Sequence, residues 1–266
     1  MLYLVATPIG NLADITYRAI DILKTSDYIL CEDTRHSRVL LDHYNVKTPL
    51  KSFHKFNEAS RENQILDDLR NGLSISVISD AGMPMICDPG MRIVQACRRE
   101  KIPITVIPGP SAFLTAFALA GWETETFQFV GFLPKNQKQL LALLAYPGVS
   151  LGYESPNRLC KTLSVLPEDT HVAVARELTK LHEDFREGTA KQLLAHYNKT
   201  PPKGEIVLLI KAFDKKPLDD ATLCSLVKEK IEKENKSLSE AVRLVAQEHG
   251  CSRSRLYKIA LSSIEC

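Results

Sequence analysis

Residues 77–90 read VISDAGMPMICDPG. An apolar run ends in Asp80 and is followed at once by a turn with two glycines, two prolines and a second aspartate, Asp88. Glycine and proline turn the chain tightly and keep side chains out of the way, so a strand that stops in such a turn can present backbone groups and a carboxylate to a ligand. In open α/β sheets that position, outside the carboxyl ends of the strands, is where ligands bind.

The flanking sequence predicts such a sheet. LYLVAT, YILCE, SISVISD and ITVIPG are β-rich runs, and ITYRAIDILKTS, TRHSRVLLDHY, NQILDDLRNG and MRIVQACRREK carry helical patterns between them. The alternation predicts βαβ units and a parallel sheet covered by helices, an α/β domain over residues 1–112. After the apolar helix SAFLTAFALAG, strands and helices still alternate in FQFVGF, KQLLALLAY, VSLGYES, NRLCKTLSVL, HVAVARELT, AKQLLAHY and EIVLLIKA. HEDFREG between them reads as hairpin material, so residues 113–212 are expected to form a second α/β domain with a mixed sheet. KAFDKKPL, 211–218, reads as a polar linker. Beyond it, 219–266 reads as three helices, the second opened by a capping box of Ser237 and Glu240 and closed by Gly250. The turn HGCS makes the last two a helix-turn-helix-like pair, with Arg253, Arg255 and Lys258 on the second.

Bulk properties exclude several classes. With 44% hydrophobic and 25% charged residues the 266-residue chain is neither disordered nor fibrous, and length alone suggests about two domains. Lys and Arg total 34 against 32 for Asp and Glu, so any RNA contact must be a local patch and not a bulk charge effect. The seven scattered cysteines form no CxxC pair and have no histidine at zinc-ligand spacing, which suits reduced thiols and no metal site. MLYLVATPIGNL has no basic region before its short apolar stretch, and no segment reaches a membrane span, so a soluble cytoplasmic protein is expected.

Four loops are rich at strand ends: TPIGNLAD, EDTRH, DAGMPMICDPG and PGPSA. Neither GxxxxGK[ST] nor GxGxxG occurs, so phosphate is not the obvious ligand. A ligand with hydroxyls, an amine and a positive centre would want a carboxylate and exposed amides, and S-adenosyl-L-methionine has those features.

The motifs TPIGNLAD (7–14), EDTRHSRVLL (32–41), SDAGMPMICDPG (79–90), PGPSA (108–112), GFLP (131–134), YESPNRL (153–159), ARELTK (175–180) and KGE (203–205) resemble, in order and along the whole chain, the tetrapyrrole-methylase family. Within it the likeness is to the branch that methylates ribosomal RNA. Where tetrapyrrole-modifying members commonly carry a Gly-Asp-Pro core this chain has SDAG, which fits the RNA branch. The resemblance implies two α/β domains with S-adenosyl-L-methionine bent in the trough between them, and a homodimer. It also implies 2′-O-methylation of the ribose of a cytidine in the decoding region of 16S rRNA within the small ribosomal subunit. Mapped onto these motifs, it implies cofactor contacts from Pro8, Asp80, Ala81, Gly82, Met85, Pro108, Ser111, Ala112, Tyr153 and Glu154.

Each residue also has a plainer reading. Asp80 can satisfy its own loop's amides, Asp88 can cap the following helix, Ser111 can be an N-cap while also meeting a ligand, and Tyr153 and Glu154 can bond to each other. Glu32, Asp33, Arg35 and His36 crowd the end of a strand, where Arg35 would hold phosphate and His36 could do so or act as base. His54, Lys55, Asn57 and Glu58 read as a polar loop. Lys180 would hold phosphate or a developing oxyanion, because neighbouring Glu177 tends to keep it protonated. Arg176 and Lys135 are further RNA-contact candidates, alongside the tail's Arg253, Arg255 and Lys258. Two rival functions share the fold: methylation of a tetrapyrrole or protein, and a non-enzymatic ribosome-assembly factor that binds RNA.

Overall fold

The computed structural model describes residues 1–124, 126–211, 219–234, 236–249 and 251–264. The chain divides into two compact units, Met1–Ala212 and Phe213–Cys266. Residues 212–218, most of the expected linker, and Gly250 lie outside the described residues.

The first unit opens with β1 (Leu2–Val5), α1 (Tyr17–Thr25), β2 (Tyr28–Cys31), α2 (Thr34–His43), β3 (Leu50–Ser52), α3 (Glu58–Arg70), β4 (Ile75–Ile78), α4 (Met91–Arg99) and β5 (Ile104–Ile107). The five strands pair in parallel in the order β3-β2-β4-β1-β5. Every residue of β2 and β4 is buried, because helices cover both faces of the sheet, and such strands read as unbroken apolar runs. Alternation still sorts the side chains: Leu4, Leu30 and Val77 pack in one layer, Val5, Ile29 and Ile78 in the other. Helix starts follow local chemistry. Thr16 accepts the Ala19 N–H at 3.1 Å to open α1, and Asp33 accepts the Arg35 N–H at 2.8 Å to open α2.

The same unit continues with α5 (Ala112–Ala120), β6 (Phe127–Phe132), α6 (Gln137–Ala142), β7 (Val149–Glu154), α7 (Pro156–Val165), β8 (His171–Arg176), β9 (Asp184–Thr189), α8 (Ala190–Lys199) and β10 (Ile206–Lys211). Its second sheet has the order β6-β7-β10-β8-β9 and is mixed: β6 runs parallel to β7, and every other pair is antiparallel. HEDFREG does form a hairpin, with β9 laid beside β8 from His171↔Thr189 to Arg176↔Asp184. Helix α5 closes at Gly121, whose φ of 60° suits a left-handed C-cap, and it packs Ala116 against Val149, Leu151, Ala173 and Leu209. Ile9, from the loop after β1, is buried in that same cluster. The two sheets thus share apolar contacts and stand as one unit.

The second unit holds α9 (Asp220–Glu234), α10 (Leu238–His249) and α11 (Arg253–Ile264) around a core of Leu223, Val227, Val242, Val245, Leu256 and Ala260. Only half of the expected capping box forms. Ser237 Oγ accepts the Glu240 N–H at 3.3 Å, but the Glu240 carboxylate pairs with the opposite charge of Lys236 Nζ, also at 3.3 Å, instead of returning to the Ser237 backbone. No helix among the described residues is long and apolar enough to cross a membrane.

Candidate active site

The loops that follow β1, β4 and β5, three adjacent strands, are tied into one ridge. Thr7 donates its N–H to Gly82 O at 2.9 Å and accepts the Gly82 N–H at 3.1 Å, while the Thr7 hydroxyl donates to Ser79 O at 3.1 Å. Gly109 comes so close to Ala6 that a Cβ there would lie 2.8 Å from the Ala6 Cβ, which explains a glycine at that point of PGPSA. Facing the ridge are the end of β6, the end of β7, the loop after β8 and the start of β10. Between them lies a cleft of about 380 Å³.

Of the ten expected cofactor residues, Ala81, Gly82, Ser111, Ala112, Tyr153 and Glu154 line this cleft, whereas Pro8, Asp80, Met85 and Pro108 do not. The Asp80 carboxylate accepts the Asp33 N–H at 3.4 Å, joining the β4 loop to the end of β2. Ser111 occupies the N-cap position of α5 without making a side-chain cap, so its hydroxyl is not consumed by the helix. Glu154 is fully engaged: its carboxylate accepts the Ser155 N–H at 2.8 Å and the Thr162 hydroxyl at 2.5 Å and pairs with Arg158 at 3.2 Å. It does not pair with Tyr153, whose ring packs edge-on against Phe129 and Phe132. Burial, with Cys87, Asp88 and Glu205 nearby, pushes the Tyr153 phenol up to about 12, so it is a hydrogen-bond donor at neutral pH.

Other lining residues lie inside these motifs without an assigned role, among them Phe132 in GFLP, Glu205 in KGE and Cys87 in SDAGMPMICDPG. Asp88 also lines the cleft, and helix capping does not explain it. The free N–H groups of Gly90 and Arg92 at the start of α4 are instead taken by the buried carboxylate of Glu58, each at 3.1 Å. Burial, then Glu32 and Asp80, push the Asp88 carboxyl up to about 6. Four of the six non-glycine residues with positive φ among the described residues flank this cleft: Met85 and Cys87 on one side, Glu177 and Thr179 on the other. Such strain collects where the backbone is shaped for a ligand.

Lys180 stands beside the rim. Its Nζ donates to Glu177 Oε1 and to Glu205 Oε2, each at 2.9 Å. Partial burial opposes the charge, but the two carboxylates outweigh it and raise the Lys180 pKa above its ordinary value. His36 is exposed on the first turn of α2 and does not line the cleft. Arg35 folds back on Asp33, with Nη2 at 3.0 Å from Oδ2, and that hydrogen bond holds the Asp33 carboxyl down to about 2. Lys135 is exposed just beyond β6, and Arg176 Nη1 donates to Lys203 O at 3.3 Å. In the second unit Arg253 donates to Ser239 at 3.1 Å, Arg255 pairs with Asp220 at 2.9 Å, and Lys258 is exposed.

The cleft's chemistry fits S-adenosyl-L-methionine. Its volume is within the range of small-molecule sites. Phe132, Tyr153 and Leu178 supply an apolar and aromatic wall for a base, Asp88 a carboxylate for a cationic centre, and Ser111 with the backbone of Ala81, Gly82 and Ala112 polar groups for hydroxyls and an amine. Among the described residues no cluster of three metal-ligating side chains occurs.

Comparison with known proteins agrees with this geometry. The profile of the family described as Tetrapyrrole (Corrin/Porphyrin) Methylases matches residues 1–194. A ribosomal RNA small subunit methyltransferase I of Synechocystis sp. is 41% identical over 98% of this chain and 97% of its own length. One of Thermotoga maritima is 45% identical over 79% of this chain and 97% of its own length. Among solved structures, cobalt precorrin-4 methyltransferase has a TM-score of 0.59 at 20% identity, covering 79% of this chain and 93% of that one. Diphthine synthase has a TM-score of 0.64 at 12% identity, covering 79% and 89%. With two sheets facing each other across one cleft and a family match that covers the first sheet and four of the five strands of the second, the chain belongs to the tetrapyrrole methylase family.

Proposed function

We propose that the protein transfers a methyl group from S-adenosyl-L-methionine to small-subunit (16S) ribosomal RNA, at the ribose 2′-hydroxyl of a cytidine in the decoding region. The observation that carries the reading is the cleft between the sheets, with a carboxylate inside and a charged lysine at its rim, in a chain 41% identical over nearly its whole length to a ribosomal RNA methyltransferase. The bound cofactor supplies a methyl group already activated by the sulfonium. What the chain must add is alignment and charge placement. Asp88 would offer its carboxylate to the cationic centre, the 81–82 and 111–112 segments would hold polar groups of the cofactor, and Asp80 fixes the β4 loop that carries Asp88. Lys180, kept protonated by Glu177 and Glu205, holds a phosphate or the oxygen that gains charge as its proton leaves. His36, on the α2 surface, together with Arg35, Lys135 and Arg176, belongs to the RNA-facing side.

The same reading places the protein in the cytoplasm and makes it a homodimer. Val106, Leu114, Leu119 and Phe127 stand exposed on β5, α5 and β6, consecutive elements that include the edge strand of each sheet. An apolar surface of that kind is suited to an isologous partner. The deciding experiment offers labelled cofactor with small subunits, free small-subunit RNA, whole ribosomes and a tetrapyrrole. Label in one cytidine ribose of the small subunit is expected. Label in the tetrapyrrole or in protein, with none in RNA, overturns the reading.

A further inference from the structure

A second cavity, of about 270 Å³, opens on β8, β9 and α8, away from the methyl-transfer cleft. Its walls carry three fixed cations, Arg176, Arg186 and Lys203, against one carboxylate, Asp184. Arg176 and Asp184 are direct cross-strand partners, and Arg186 stands two residues along β9, so all three side chains project from one face of the hairpin. Asp184 is spent on Arg186, Oδ2 to Nε at 3.0 Å, and the Arg176 guanidinium donates to the Lys203 carbonyl at 3.3 Å. Among the described residues, no ion pair neutralises Arg176 or Lys203.

Tyr197, from α8, forms part of the same wall and is almost completely buried, yet its hydroxyl has no hydrogen-bond partner among the described residues. A buried hydroxyl left without a partner is destabilising, so an orphan in a wall that also carries excess cations asks for an acceptor. Burial first, and the Asp184 charge, outweigh the opposing Arg186 and Arg176 charges and raise the phenol to about 12, so it stays a donor. His196 adds a ring nitrogen, its imidazole edge-on to Tyr197.

We infer that this cavity is a phosphate-binding subsite in which Arg176, Arg186 and Lys203 hold an oxyanion against Tyr197. Resting on the ribosomal RNA reading above, its occupant is a backbone phosphodiester of the RNA substrate near the methylated nucleotide. The chain itself makes the connection: Lys203 lines this cavity while Gly204 and Glu205 line the methyl-transfer cleft, and Arg176 precedes Glu177, the carboxylate that holds Lys180. A phosphate seated here would fix the RNA strand relative to the cleft without touching the cofactor.

The test has two arms, each using the full-length protein. In the first, inorganic phosphate is titrated while the His196 ring resonances are followed by NMR. Wild type should show saturable shifts, and Arg186→Gln and Tyr197→Phe should each weaken them at least about tenfold, the loss of one charge-assisted hydrogen bond. Absence of saturable shifts in wild type, or wild-type affinity in both variants, overturns the subsite. In the second arm, small-subunit RNA affinity is measured against salt. Arg186→Gln should lower the slope of log affinity against log salt by about one phosphate contact while cofactor affinity is unchanged. Phosphate binding with an unchanged RNA slope overturns the RNA assignment and leaves a site for a free oxyanion. Phosphate binding with no RNA binding at all instead identifies the functional reading as the part that failed.

Discussion

The Lys180 ammonium lies 2.9 Å from the Glu205 carboxylate, and through that pair the loop after β8 is fastened to the start of β10 at the rim of the cleft. Because Glu177 holds the same ammonium at 2.9 Å, Lys180 is positioned as a fixed charge and not as a proton acceptor. Lys180→Ala is expected to keep cofactor affinity and to lose single-turnover methylation by about 100-fold or more, the scale of an electrostatic contact made as charge develops. His36→Ala should stay within a few-fold of wild type. Single-turnover rates at saturating cofactor over about pH 6 to 9 check both, and wild type should show no gain from lysine deprotonation in that window. Equal rates for Lys180→Ala and wild type would remove the lysine from the chemistry.

Asp88 sets a pH dependence whose sign follows from its raised pKa. The folded protein holds the Asp88 proton more tightly than the unfolded chain does, so the stability this group lends is full below the ordinary carboxylate value and is lost as pH rises to about 6. Solvent screening at this half-exposed carboxylate keeps the loss by neutrality small, on the order of 1 kcal/mol. Asp88→Asn should therefore be more stable than wild type at about pH 8 and indistinguishable near pH 4. A cationic cofactor wants the ionised form, so wild-type affinity should rise between about pH 5 and 7, a rise the Asn variant lacks. Urea unfolding and calorimetric titration at the same pH values test the two halves separately.

The parts of this arrangement differ in how far they can be read from residues alone. β2 and β4, sealed on both faces, announce themselves as apolar runs. β3 does not: it is three half-buried residues, LKS, at the edge of the sheet, and its strand character comes only from pairing with β2. Site residues divide in the same way. Ser111 and Tyr153 sit at the ends of well-marked elements, where a sequence pattern can place them. Asp80 and Asp88, eight residues apart in one turn, exchange expected importance because the fold of the loop decides which carboxylate meets the cleft. Glu58, plain in its own segment, matters because α4 lacks a side-chain cap and the carboxylate arrives from another element. Phe132 and Glu205 join the site through register between strands, which no single segment encodes.

The close approach of Gly109 and Ala6 predicts a specific non-additivity. Gly109→Ala inserts a methyl group 2.8 Å from the Ala6 Cβ and should cost about 1–3 kcal/mol by overpacking. Because no other atom within 3.4 Å opposes that methyl group, adding Ala6→Gly should recover most of the loss. Cofactor affinity should follow the same order, since the two residues set the spacing of the loops after β1 and β5. A strictly additive double-mutant cycle would show that the contact is relieved elsewhere.

The last prediction concerns the helical unit. The Thermotoga maritima relative aligns over 97% of its own length with only 79% of this chain, close to the share that residues 1–212 make up of 266. The Synechocystis sp. relative aligns with 98%. A methyltransferase of this kind can therefore exist at the length of the first unit alone. The cleft agrees, since every residue that lines it lies between Ile9 and Val207. Each unit also has its own apolar core, so removing one leaves no core half-built. In the second unit Arg255 is committed to Asp220 and Arg253 to Ser239, leaving Lys258 as the one basic residue of the expected trio whose side chain makes no bond to another described residue. That is a modest electrostatic footprint, on the order of one phosphate contact. A protein ending at Ala212 is expected to fold, to bind cofactor with unchanged affinity and to methylate small subunits at the full-length turnover, with KM raised by a few-fold and a shallower salt dependence. Turnover lost with cofactor binding intact would show instead that the helical unit is needed to complete the RNA site.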